Sequence, residues 1–114
     1  IKNARKILRN KIIGVTCHNS IELAKAAIKE NADYIAFGAF FSTKTKKVKY
    51  KATIKILDKV KKLTKIPLVA IGGINNKNFE SLIKLGVNYL AISSFIWNNQ
   101  RLKPEKAIRE FRLK

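Results

Sequence analysis

Four short apolar runs, separated by amphipathic segments, constrain the fold of this chain most strongly. They are Ile12–Thr16 (IIGVT), Asp33–Gly38 (DYIAFG), Leu68–Gly73 (LVAIGG) and Tyr89–Ser93 (YLAIS). Near-continuous apolar runs of this length are typical of buried strands in a parallel sheet, and the first of them is also rich in β-branched residues. Their starts recur about every 20 to 35 residues, the size of a βα unit. The sequence therefore predicts a parallel sheet covered by helices.

The segments after these runs have the periodicity of helices. The apolar positions that share a helical face are Ile21, Ala24, Ala27 and Ile28, then Ile56, Leu57, Val60 and Leu63, then Phe79, Leu82 and Ile83, and finally Ala107, Ile108 and Phe111. The expected helix boundaries are Asn19 as a cap with Glu22 completing a capping box, Asn75 or Asn76 as a later cap, Gly86 as a stop and Pro104 as a start. The predicted order is β-α-β-α-β-α-β-α, without an internal linker.

Two architectures fit this order: an open doubly wound sheet, or half of a parallel (β/α)8 barrel. A complete barrel takes at least about 200 residues, and this chain has 114. Residues 1–114 are therefore expected to form one domain or part of one, with no second domain.

Composition excludes several classes of protein. No apolar stretch approaches the roughly 18 to 20 residues of a membrane span, and no signal peptide is predicted. The single cysteine, Cys17, excludes an internal disulfide and fits a reducing cytoplasm. The chain contains no methionine and starts at Ile1, so we expect an internal fragment or a trimmed chain.

The formal net charge of +18 has two interpretations. It is compatible with an anionic partner such as nucleic acid, a membrane surface or a phosphorylated small molecule. Compositional drift is the favoured interpretation, because Lys, Ile and Asn are all used heavily and the lysines are spread over predicted helices.

Ligands of parallel α/β proteins bind beyond the carboxyl ends of the strands. The residues at those ends are Thr16, Cys17, His18 and Asn19, then Gly38 and the loop Ser42–Lys47, then Gly72 and Gly73, then Ser93 and Ser94. Of the seven acidic residues, Asp33 begins a strand and the others fall on predicted helices. The ligand face therefore offers no carboxylate for acid/base chemistry or for holding magnesium. It has the composition of an anion receptor.

The two glycines after the third strand allow backbone amides to approach an anion closely. Taken alone, such a pair is equally typical of a tight turn without a ligand. Ser93 and Ser94 follow the next strand, and phosphate in barrels is commonly bound after the last two strands. The loop Ser42–Lys47 adds hydroxyls and ammonium groups. Together these features predict phosphate binding.

Cys17 and His18 are not expected to form a catalytic pair, because neighbouring side chains at a strand end usually point apart. They are also too few to hold zinc. His18 is a candidate hydrogen-bond donor to a substrate, or else a structural histidine. Trp97 and the other aromatic residues are expected to pack in the core.

The stretches IIGVTCHNSIELAKAAIKENADYIAFGAFFSTKTKK, IPLVAIGGI and GVNYLAISSFI resemble the C-terminal half of the thiamine-phosphate synthase family. The family pattern near G-P-x-[FY]-x-T-x-T-K corresponds to Gly38–Lys46, with departures at Ala39 and Ser42. The resemblance implies a (β/α)8 TIM barrel, of which this chain supplies strands 5 to 8. It implies a cytoplasmic transferase that joins an aminomethyl-pyrimidine diphosphate to a thiazole phosphate, giving thiamine phosphate and pyrophosphate by a dissociative step.

The resemblance also implies roles for individual residues. Thr43, Thr45, the Gly73 backbone, Ile92 and Ser93 would bind the thiazole phosphate. Lys46 would hold the pyrophosphate, and Thr16 would lie near the pyrimidine. The Mg²⁺ ligands of the family lie in the half that is absent here, so the isolated chain is expected to bind phosphate weakly and to be inactive.

Two alternatives remain open. A related thiazole tautomerase has a functional histidine after its fifth strand, as His18 would be, although the intact T-x-T-K sequence favours the synthase. A basic nucleic-acid-binding module would explain the charge, but no recognised motif supports it, so nucleic acid is not expected as a partner. No membrane partner is expected, and a homo-oligomer is compatible with the sequence.

Overall fold

The computed structural model describes residues 2–38, 40–41 and 47–112. Along the chain its elements are α1 (Lys2–Leu8), β1 (Gly14–Thr16), α2 (Ile21–Lys29), β2 (Tyr34–Phe37), α3 (Lys47–Leu63), β3 (Leu68–Ile71), α4 (Phe79–Lys84), β4 (Tyr89–Ala91), α5 (Ser94–Trp97) and α6 (Pro104–Arg109). All four predicted strands are present, each slightly shorter than its apolar run. The loop residues 42–46 lie outside the described residues.

The four strands form one parallel sheet in the order β1-β2-β3-β4. The register places Thr16 beside Ala36, Ala36 beside Val69, and Val69 beside Tyr89. A doubly wound sheet reverses its strand order at a switch point. The described strands run in sequential order without such a reversal, as consecutive strands of a barrel do.

One face of the sheet is packed against helices. Ile35, Phe37, Leu68 and Ala70 are buried there in one apolar cluster. The helix residues of that cluster are Ala24 and Ala27 from α2, Leu57 and Val60 from α3, and Phe79 and Leu82 from α4. Fully burying one such aliphatic or aromatic side chain contributes about 1.5 to 3 kcal/mol, so this layer is the main source of stability.

The opposite face of the sheet is largely open. Gly14, Thr16, Tyr34, Ile71 and Tyr89 project there and are exposed, Tyr89 to 62% of its surface. The ring of Tyr34 lies over Gly14, where a Cβ would come within 1.9 Å of it. We refer to these five residues as the open face. The prediction that helices cover the sheet is therefore confirmed for one face only among the described residues.

Several predicted boundaries were wrong. Ser20, not Asn19, caps α2: its hydroxyl oxygen accepts the Leu23 amide at 3.1 Å and donates to Glu22 at 3.2 Å. The Asn19 carboxamide instead accepts the hydroxyl of the buried Thr53 on α3, at 2.8 Å. The N-cap of α4 is Asn78, rather than Asn75 or Asn76.

The expectation that Trp97 packs in the core was also wrong, since 71% of its surface is exposed. The helices α1 and α5 were not predicted. The predicted helix stop at Gly86 and the start at Pro104 are confirmed, with Gly86 at φ 96°.

A hydrogen bond between Arg5 and Asp33 connects α1 to the segment that precedes β2. One Arg5 nitrogen donates to the Asp33 carboxylate at 3.1 Å, and the other donates to the Lys11 carbonyl at 2.9 Å. The same Asp33 oxygen accepts the Ile13 amide at 2.7 Å. These hydrogen bonds, led by that from Ile13, hold the pKa of Asp33 below its ordinary value.

We expect this cluster to make stability depend on pH. The pKa of Asp33 is lower in the folded state than in the unfolded state. Its carboxylate therefore adds to the free energy of unfolding above the ordinary pKa of about 3.9, and this contribution is lost as pH falls through the lowered pKa. Asp33→Asn should lower the urea midpoint of unfolding at pH 7. Its urea midpoint should also fall less steeply with decreasing pH than that of the unsubstituted chain. Asp58→Asn, at an exposed aspartate on α3, is the matched control. Identical acid profiles for the two variants would contradict the assignment.

Candidate functional site

A cavity of about 560 Å³ lies beyond the carboxyl ends of β3 and β4. Its lining residues are Ile71, Gly72, Gly73, Ile74, Asn75, Ala91, Ile92, Ser93, Ser94, Phe95, Asn98 and Asn99. The cavity is therefore built from two neighbouring strand ends, as expected for parallel strands whose carboxyl ends meet at one edge.

The Gly72–Gly73 turn forms one wall of this cavity. Gly73 has φ 63°, and a Cβ there would come within 2.1 Å of the Phe41 carbonyl oxygen. The Phe41 amide donates to the Gly72 carbonyl at 3.0 Å, and the Phe40 amide donates to the Ile71 carbonyl at 3.1 Å. Glycine is required at position 73 because the Phe40–Phe41 segment lies directly against the turn.

This contact also orients the peptide between the two glycines. In a trans peptide the N–H and C=O groups point in opposite directions. Since the Gly72 carbonyl faces Phe41, the Gly73 N–H is directed away from Phe41. Within the described residues it donates to no protein acceptor.

Asn75 and Asn78 hold the segment that follows the Gly72–Gly73 turn through side-chain hydrogen bonds to its backbone. The Asn75 side-chain oxygen accepts the amides of Lys77 and Asn78 at 2.8 and 3.0 Å. The Asn78 carboxamide accepts the Asn75 amide at 2.8 Å and donates to the Gly73 carbonyl at 3.0 Å. Asparagine side chains that hydrogen-bond to nearby backbone in this way mimic a backbone turn.

Ile92, Ser93 and Ser94 form the opposite wall, after β4. The Ser93 carbonyl accepts the amides of Ile96 and Trp97 at 3.0 and 2.9 Å, which starts α5. The Ser93 side chain is exposed and makes no capping bond to α5. Its hydroxyl can therefore donate into the cavity.

Among the described residues, no carboxylate lines the cavity. Over the described ranges, no group of three or more His, Cys, Asp or Glu side chains is arranged to hold a metal ion. The cavity offers amides, carboxamides and hydroxyls, which suits an anion rather than a cation.

Cys17 and His18 lie at the end of β1, away from this cavity. The Cys17 thiol is fully buried, and that burial raises its pKa. A raised pKa disfavours the thiolate, which is the nucleophilic form. His18 is exposed with φ 49°. The structure therefore gives no support to Cys/His nucleophilic catalysis.

Among the site residues expected from the sequence, the structure brings Gly73, Ile92 and Ser93 together at one cavity. Thr16 and His18 lie at the end of β1, two strands away from β3, and Thr16 projects on the open face. Thr43, Thr45 and Lys46 lie outside the described residues. Sequence reasoning missed Phe95, Asn98 and Asn99 as lining residues, because α5 was too short to show helical periodicity.

These features define a parallel α/β domain with a cavity, free of carboxylates among the described residues, at the carboxyl ends of two strands. The sequence profile of the family described as thiamine monophosphate synthase matches residues 1–96, and the chain belongs to that family.

Curated relatives are named thiamine-phosphate synthase. One from Pelagibacter ubique is 60% identical over 109 residues, covering 96% of this chain and 53% of the relative. One from Nitrosomonas eutropha is 48% identical over 103 residues, covering 90% of this chain and 48% of the relative. The chain thus spans about half the length of these relatives.

Solved structures show the same correspondence. A thiamine phosphate pyrophosphorylase from Pyrococcus furiosus superposes with a TM-score of 0.78 at 34% identity, covering 96% of this chain and 51% of that structure. A 3-hexulose-6-phosphate synthase superposes with a TM-score of 0.71 at 15% identity, which shows likeness of fold alone.

Proposed function

We propose that this chain is the C-terminal half of a TIM barrel, contributing strands 5 to 8, and that the natural gene product is a thiamine-phosphate synthase. The sequential parallel strand order supports the barrel. So does the open face, because the inner side of a half-barrel lacks the partners that a closed barrel supplies. The relatives' twofold greater length provides room for four further βα units.

The single observation that carries the function is the cavity shared by Gly73, Ile92 and Ser93. The Gly73 amide, which donates to no acceptor among the described residues, and the Ser93 hydroxyl are donors suited to the phosphate of a thiazole phosphate. Thr43 and Thr45, which follow Phe41 in the sequence, would add hydroxyl donors, and the Phe41 amide itself donates to the Gly72 carbonyl at 3.0 Å.

In this proposal the remaining groups act on the pyrimidine diphosphate. Lys46 would neutralise the pyrophosphate as it leaves. Thr16 and His18, at the end of β1, would face the pyrimidine ring. A dissociative displacement depends on stabilising the leaving group's developing charge, and fixed cations and amides do this without a general base. The absence of carboxylates around the cavity is compatible with such a step.

A Mg²⁺ ion does not fit the described residues, because the cavity lining contains no carboxylate. The metal ligands of the proposed enzyme would therefore come from outside these 114 residues. For the same reason we expect the isolated chain to bind phosphate weakly and to be catalytically inactive.

Phosphorylated thiazole and pyrimidine compounds are the proposed partners, in the cytoplasm. A search of the described residues finds no candidate membrane-spanning helix. Homo-oligomerisation is compatible with this proposal but is not required by it.

The test is an assay of the natural gene product with thiazole phosphate, the pyrimidine diphosphate and Mg²⁺. We expect pyrophosphate and thiamine phosphate in equal amounts. Isomerisation of a thiazole precursor without pyrophosphate release would instead support the tautomerase, in which His18 would be the functional residue. Neither activity, combined with salt-sensitive binding to nonspecific DNA, would support the nucleic-acid-binding module.

A further inference from the structure

We propose that Asn78 is a positioning residue that aims the backbone amide of Ile74 at the bound phosphate, beside the amide of Gly73. This inference rests on the proposed function and adds Asn78, which is not among the site residues predicted from the sequence. The two peptides that flank Gly73 are fixed by hydrogen bonds from different parts of the chain.

The first peptide, Gly72–Gly73, is held by the Phe41 amide on the Gly72 carbonyl at 3.0 Å. The second peptide, Gly73–Ile74, is held by the Asn78 carboxamide on the Gly73 carbonyl at 3.0 Å. In each trans peptide the N–H points away from the restrained carbonyl. Consequently Phe41 orients the Gly73 N–H, and Asn78 orients the Ile74 N–H.

Ile74 provides a second observation. It lines the cavity and is 4% exposed, yet its backbone N–H donates to no acceptor among the described residues. Buried backbone N–H groups are nearly always paired in native proteins. A donor of this kind beside a cavity without carboxylates is suited to an anionic ligand.

The Asn78 carboxamide is itself held in one orientation. Its oxygen accepts the Asn75 amide at 2.8 Å, which leaves its nitrogen as the donor to Gly73. An aspartate at this position could keep the first bond but not the second, and its charge would face the Gly73 carbonyl oxygen. The Gly73–Ile74 peptide would then rotate, and the Ile74 amide would leave the phosphate.

The experiment is calorimetric titration of the natural gene product with thiazole phosphate, comparing Asn78→Asp with Asn76→Asp. Asn76 lies in the same turn, makes no hydrogen bond among the described residues and does not line the cavity. The two variants therefore carry the same added charge two positions apart. Asn78→Ala serves as a second variant that removes both bonds without adding charge.

We expect Asn78→Asp and Asn78→Ala to weaken thiazole phosphate binding by about tenfold relative to Asn76→Asp, as loss of one oriented donor to a charged group predicts. The affinity for the pyrimidine diphosphate should be unchanged, which a general loss of folding would not produce. Equal thiazole phosphate affinities in all variants would overturn the role of Asn78 and leave the proposed function intact. Failure of the unsubstituted protein to bind thiazole phosphate would overturn both.

Discussion

Gly73→Ala in the natural gene product should weaken thiazole phosphate binding by about 10- to 100-fold. The alanine Cβ would come within 2.1 Å of the Phe41 carbonyl oxygen, in a backbone conformation with φ 63° that side chains rarely adopt. The atoms in contact belong to the Phe41 backbone, which cannot shift as easily as the end of a flexible side chain. The turn must therefore move, and its amides lose their alignment with the phosphate.

Gly86→Ala is the matched control for Gly73→Ala. Gly86 also has a positive φ, 96°, but it follows α4 on the far side from the cavity and its nearest neighbour is the flexible end of Lys61. Both variants should lose stability, whereas only Gly73→Ala should lose affinity. Equal thiazole phosphate affinities in the two variants would contradict the assignment of the Gly72–Gly73 turn.

Lys46→Gln should lower kcat of the natural gene product by about 10²- to 10³-fold, the range seen when one electrostatic stabiliser of a transition state is removed. The proposed reason is that Lys46 neutralises the departing pyrophosphate, whose charge develops only as the bond breaks. Thiazole phosphate affinity should change much less than kcat. Steady-state kinetics with pyrophosphate detection measures both quantities.

Lys44→Gln is the control for Lys46→Gln, because it removes the same charge from the same loop. A general electrostatic attraction between the basic chain and its anionic substrates would make the two variants alike. If Lys46→Gln retained a kcat close to that of Lys44→Gln, the specific role of Lys46 would be wrong.

The strands could be predicted from the sequence because each is a short apolar run that contains at least one β-branched residue. What the pattern could not show is which side of the sheet has helices. Tyr34 and Tyr89 read as core residues in an apolar run, yet both project on the open face. Residues that face a barrel interior and residues that face a helix layer are both apolar. Such strands therefore show no alternation of apolar and polar residues that would tell one face of the sheet from the other.

The helices show a similar division. The helix α3 has 17 residues, enough for its apolar periodicity to predict it. The helix α5 has four residues, and four positions define no period. The helix α1 has no acidic residue in its first turn to mark its start.

The site was predictable only where sequence position determines spatial position. The cluster of Gly73, Ile92 and Ser93 follows from adjacent strand ends in a parallel sheet. The roles of Asn75 and Asn78 do not, because Asn75, Asn76 and Asn78 are chemically equivalent candidates in one turn. Which of them bonds to the Gly73 carbonyl depends on the three-dimensional path of that turn.

The central claim is that a phosphate binds between the Gly73 turn and Ser93. A crystal structure of the natural gene product with thiazole phosphate tests it most directly. We expect the phosphate oxygens within hydrogen-bonding distance of the Gly73 amide on one side and of Ser93 on the other. A phosphate bound elsewhere, with this cavity empty, would contradict the account.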